Sequence, residues 1–87
     1  MAANPAREVA KRHFNETLNG VAMSERPEYS KSLPHLKWML YMIIMGELSS
    51  ETKENRWLGY VQCALDFHGL ITVESERNAT RDIFNGY

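Results

Sequence analysis

The chain has 87 residues, of which 44% are apolar and 24% charged, and its formal net charge is -1. That length fits one domain with a modest core, and the composition excludes a disordered chain. The charge offers no basic balance of the kind duplex nucleic acid selects.

The charge is unevenly spread. Residues 1–43 hold six Lys/Arg and four Glu, a net of +2, whereas residues 44–87 hold four Lys/Arg and seven acids, a net of -3. The imbalance is too mild for a nucleic-acid binder or mimic. Cys63 is the only cysteine, so no internal disulfide can form and a reducing compartment is expected. Met-Ala-Ala-Asn-Pro at the start has no apolar signal region. The longest apolar run, Trp38 to Met45, is far below the roughly 20 residues that span a bilayer. A cytoplasmic protein with no membrane contact is the expectation.

Asn4 can cap a first helix whose first turn accepts Pro5. Val9, Ala10, Phe14, Leu18 and Val21 recur at helical spacing, with Arg7, Glu8, Lys11, Arg12, Asn15 and Glu16 on the other side. One amphipathic helix over about residues 5–19, ended near Gly20, is predicted. Residues 22–31 read as a connector broken by Pro27, with room for a helical turn over 28–31.

Ser32 can cap a second helix that tolerates Pro34 in its first turn, runs to about Met45 and stops at Gly46. Leu36, Met39, Leu40 and Ile43 form one stripe; Trp38, Tyr41, Met42 and Met45 form another. A surface helix normally has one apolar stripe and one polar face. This helix is therefore expected to be covered on two sides, either by the rest of the domain or by a second chain. Ser49 or Ser50 caps a third helix, along which Trp57, Val61, Ala64 and His68 align, flanked by Leu58 and Leu65, until Gly69 closes it. Leu70 and Ile71 are expected to return to the core. Thr72 caps a fourth helix with Glu74 and Glu76 in its first turn, reaching Ile83 or Phe84. The expected architecture is all-α: one domain over residues 1–87, a small bundle of about four helices, dimerising to cover the second helix. Residues 1–30 form a variable N-terminal helix and connector.

The string Asn55-Arg56-Trp57-Leu58-Gly59-Tyr60-Val61-Gln62, preceded by His35-Leu36-Lys37-Trp38-Met39 and followed by Gly69-Leu70-Ile71-Thr72 with Arg77, resembles a block found in short proteins of tailed phages and prophages. The resemblance covers about residues 35–84. It implies a phage origin, and so a host-cell cytoplasm, but no activity.

Chemistry-bearing residues are sparse. His13, His35 and His68 lack the i,i+4 spacing of a helical metal site, so no metal or other cofactor is expected. A protonated His68 would complement the end of the third helix. Cys63 shares a face with Tyr60 and Phe67, has no evident base nearby, and reads as a small buried apolar residue. Glu51, Glu54, Glu74 and Glu76 fall in first turns, where the helix dipole accounts for them. No catalytic residue is assigned, and an enzyme is not expected.

Arg56 beside Trp57 and Tyr60 has the composition of a binding hot spot, and it can pair with Glu51 or Asp66 across chains. The plainer reading makes Trp57 a core residue. Gly59 inside a helix costs up to about 1 kcal/mol relative to alanine. Close packing by Trp38, by the first helix, or at a dimer seam would give it a reason. The methionines of the second helix suit either core filling or an adaptable binding surface.

The expected function is therefore protein–protein interaction. It would be a non-catalytic phage accessory protein, homodimeric, modulating a host system in the manner of an anti-restriction or anti-CRISPR protein. Partner-binding residues would be Trp38, Tyr41, Met42, Met45, Arg56, Trp57 and Tyr60. A small DNA-binding regulator is the alternative, with helices three and four as a helix-turn-helix. The acids of helix four would face phosphates badly, so nucleic acid is the weaker partner. A virion or scaffold component is a further alternative.

Overall fold

The computed structural model describes residues 4–26, 31–72 and 74–78. It is a small all-α bundle, with no strand among those residues. Helix α1 spans Pro5–Arg12 and runs into a π-helical turn at His13–Thr17. Helix α2 spans Leu33–Ile44, helix α3 spans Glu51–Phe67, and residues 74–78 form a short helical turn.

Helices α1 and α3 each begin on a capping side-chain acceptor. The Asn4 side chain accepts from the Arg7 amide, with Pro5 in the first turn, where a missing N–H costs nothing. Ser50 Oγ accepts from the Lys53 amide, and Glu51 and Glu54 lie at the positive end of α3. Ser32 precedes α2 in extended conformation but makes no side-chain cap bond, contrary to the role expected of it.

Gly46 ends the α2 segment at φ +69, which L residues with a Cβ rarely adopt. A Cβ there would also sit 3.1 Å from Arg7 Nη2, a tight contact that the Arg7 side chain would have to shift to relieve. Gly69 closes α3 at φ +77.

Helix α2 packs against both α1 and α3 and is the centre of the fold. Leu36, Met39, Leu40 and Ile43 face inward, meeting Ala6, Val9, Ala10 and Leu18 from the N-terminal segment and Leu58, Val61, Ala64 and Leu65 from α3. Each fully buried Leu or Ile contributes roughly 1.5–3 kcal/mol of transfer free energy. That burial outweighs the weak intrinsic stability of helices this short.

Several expectations are corrected. The first helix is not uniform: Leu18 N–H reaches back five residues to the His13 carbonyl at 2.9 Å, widening the turn by one residue. Leu70 is 45% exposed instead of buried, because Gly69 turns the chain outward; Ile71, next along, is the residue that packs on the core. The expected helical turn at 28–31 and the end of the fourth helix near Ile83 or Phe84 lie largely or wholly outside the described residues.

Candidate functional site

Along α2 the side chains advance about 100° per residue, so Trp38, Tyr41, Met42 and Met45 point away from the buried Leu36, Leu40 and Ile43. Tyr41 is 37% and Met45 54% exposed, while Trp38 and Met42 are half-buried. Tyr41 and Met45 thus form an open apolar ridge within one chain, while Trp38 beside them also packs against the core. Lys37 is the fixed charge beside the ridge, and its ammonium lies 4.7 Å from the Phe14 ring centre.

Aromatic rings extend this ridge to both sides. Phe14 meets Tyr41 with ring centres 6.5 Å apart. On the other flank His35 stacks on Trp38 at 5.4 Å, and Trp38 meets Trp57 of α3 at 5.9 Å and 46°. Tilted and offset ring pairs at these distances are favourable and hold the rings in place. Between α2 and α3 lies an open cleft of 390 Å³ lined by His35, Met39, Arg56, Trp57 and Tyr60, with almost entirely apolar walls.

Of the seven residues expected to bind a partner, the structure brings Arg56, Trp57 and Tyr60 together on this cleft, with Trp38 at its edge through Trp57. Tyr41, Met42 and Met45 form the adjacent ridge instead. Trp57 is half-buried: it packs against the core, as the plainer reading expects, and its remaining surface lines the cleft. Arg56 is exposed and lies in no ion pair among the described residues.

Two polar clusters were not legible as such. His13 has no exposed surface and lies in the π-turn. Its Nε2 is 2.8 Å from Glu76 Oε1 and its Nδ1 is 2.9 Å from Thr17 Oγ1. A neutral imidazole fits: Nε2–H donates to the carboxylate while Nδ1 accepts from the Thr17 hydroxyl. Arg12 and Gln62 also donate to Glu76 Oε1, the latter at 2.9 Å. Burial lowers the His13 pKa below 6.5, and the adjacent Glu76 charge opposes that shift without reversing it. The cluster fastens the 74–78 turn to α1 and α3.

The second cluster centres on Glu54, which is only 2% exposed. Arg7 Nη2 donates to Glu54 Oε2 and Asn4 Nδ2 to Glu54 Oε1, both at 3.0 Å. Glu54 and Glu76 therefore act through tertiary partners beyond the helix dipole.

The remaining candidates are also accounted for. His35 Nδ1–H reaches the Ser24 carbonyl at 3.3 Å, and His68 Nε2–H donates to the Lys31 carbonyl. Among the described residues no three His, Cys, Asp or Glu side chains gather to hold a metal. Cys63 is exposed, not buried as expected, because it shares the outward side of α3 with Tyr60 and Phe67. Gly59 has no close neighbour: a Cβ there would meet nothing within 4 Å, so neither Trp38 nor α1 packs on it. The first turn of the would-be DNA-reading helix commits Glu76 to the interior. Comparison with known protein families, characterised proteins and solved structures finds no match to this chain.

Proposed function

We propose that this is a non-catalytic phage accessory protein that acts by binding another protein through the outer face of α2 and the adjoining cleft. The observation behind this reading is that Tyr41 and Met45 are exposed on the outer face of α2, beside the ring pairs Phe14–Tyr41 and Trp38–Trp57 and the apolar cleft lined by Trp57 and Tyr60. Contiguous apolar surface of this kind on a small soluble domain marks interaction sites. Its composition of Trp, Tyr, Met and one Arg is that of binding hot spots.

The phage assignment draws on the sequence resemblance of residues 35–84. In that setting the partner is a host protein, and modulation of a host defence system in the host cytoplasm is the role we favour. The rings are held by packing before any partner arrives, which lowers the ordering cost of binding.

The test is affinity capture from host lysate with wild type and with a Tyr41→Glu/Met45→Glu variant, followed by binding of the purified partner. One stoichiometric partner, bound at least about tenfold more weakly by the folded variant, is expected. Identical captures with both proteins would refute the assignment.

A further inference from the structure

We infer that the outward side of α3 is a seam for a second copy of this chain, packed antiparallel about a two-fold axis near Val61. Arg56, Gly59, Cys63 and Asp66 stand at successive spacings of three, four and three residues, the spacing of a helix–helix seam. All four are exposed. Tyr60 at 37% and Phe67 at 69% exposure flank the line on one side and supply apolar area.

The register makes this face complementary to itself. Arg56 and Asp66 lie five residues either side of Val61, and Gly59 and Cys63 lie two either side. An antiparallel copy centred there places Arg56 opposite the second copy's Asp66, and Gly59 opposite its Cys63, twice each by symmetry. Neither Arg56 nor Asp66 forms an ion pair within the chain among the described residues. One displacement along the helix therefore satisfies both charges and brings the smallest residue of the line against the second copy.

Gly59 gives an independent argument. It is helical, free of neighbours, and imposes the propensity cost of glycine on the middle of α3. Nothing inside the monomer uses its missing side chain, whereas a second helix approaching closely would. A seam one helix long lies at the small end of interface sizes, so the dimer forms at high concentration and dissociates on dilution. Arg56 and Tyr60 border both this seam and the cleft toward α2; the ridge of Tyr41, Met42 and Met45 is left free. The inference does not depend on the partner assigned to that ridge.

Mass in solution, measured by light scattering at low ionic strength from about 1 mM to about 10 μM protein, tests it. Wild type is expected to move from twice 10.1 kDa toward 10.1 kDa on dilution. Arg56→Asp and Asp66→Arg, each facing like charges twice, are expected to weaken association at least about tenfold, and the Arg56→Asp/Asp66→Arg double variant to restore it to within about threefold. Circular dichroism checks that each surface variant folds. Wild type that stays at 10.1 kDa throughout, or single variants that associate like wild type, would overturn the seam. So would a dimer lost only on changing Tyr41 and Met45. The Asp66→Arg result leaves capture of a host partner untouched, whereas a dimer lost on changing Tyr41 and Met45 would put a second copy on the ridge and count against that partner as well.

Discussion

His13 and Glu76 meet 63 residues apart in sequence, with Nε2 of the one 2.8 Å from Oε1 of the other. The histidine is fully buried and the glutamate nearly so. Through Glu76, which also accepts from Arg12 and Gln62, the short turn after α3 is fastened to the π-turn after α1. A buried carboxylate with several donors is a strong local constraint whose removal strands the donors.

Loss of the acceptor gives the first prediction. Glu76→Ala leaves the His13 and Gln62 N–H groups without this partner and the Arg12 charge without its carboxylate. It should lower the free energy of unfolding by about 2–4 kcal/mol, measured by urea titration at pH 7.5. A loss below about 0.5 kcal/mol would show that water replaces the carboxylate at no cost.

The second prediction is a pH dependence. The folded-state pKa of His13 is depressed by burial, while the unfolded chain takes up its proton near 6.5. Below that value the unfolded state binds the proton more readily than the folded state. The His13 contribution is therefore complete above pH 6.5 and is lost as pH falls from 6.5 through the folded pKa. The slope cannot exceed about 1.4 kcal/mol per pH unit for one group. The urea midpoint should be lower at pH 5.5 than at pH 7.5, and His13→Gln should reduce that difference. An unchanged difference in His13→Gln would remove His13 from the effect.

Two glycines should respond oppositely to alanine. At Gly59, helical and open, alanine should raise monomer stability by about 0.5–1 kcal/mol. At Gly46, with φ +69 and Arg7 crowding the new Cβ, alanine should destabilise by about 1 kcal/mol or more. Thermal unfolding of dilute protein, where only the monomer is present, distinguishes the two. Equal effects at both sites would contradict the described turn.

Core and ridge of α2 should also separate. Ile43→Ala, at a fully buried position, should cost about 2–5 kcal/mol. Met45→Ala, at 54% exposure two residues on, should change stability by no more than about 0.5 kcal/mol. A large loss at Met45 would mean that the ridge is covered within the monomer.

Much of this fold is legible in sequence because its signals are local. Ser50, Gly69 and the spacing of Val61, Ala64 and Leu65 delimit α3 almost to the residue. The ridge was separable because Trp38, Tyr41, Met42 and Met45 fall out of phase with Leu36, Leu40 and Ile43. The π-turn was not legible, since one extra residue in a turn leaves the apolar pattern nearly intact. His13 did carry a signal: it lies three and four residues beyond Ala10 and Val9, on their buried side. Its partner carried none. Glu76 and Glu54 sit where the helix dipole already favours an acid, and their pairing with His13 and Arg7 is a property of the tertiary arrangement alone. Cys63 is exposed because its helical phase matches Tyr60 and Phe67, although its residue type is usually buried.

Binding of another protein to the outer face of α2 is read by site-specific photo-cross-linking in the cells in which the protein is expressed. A cross-linking residue would replace Met45 or Tyr41 on the ridge, or Lys11 on the outward side of α1 as the control. One discrete adduct with another protein is expected from Met45 and Tyr41 and none from Lys11. No adduct from the ridge positions, or the same adducts from Lys11, would contradict binding at this face.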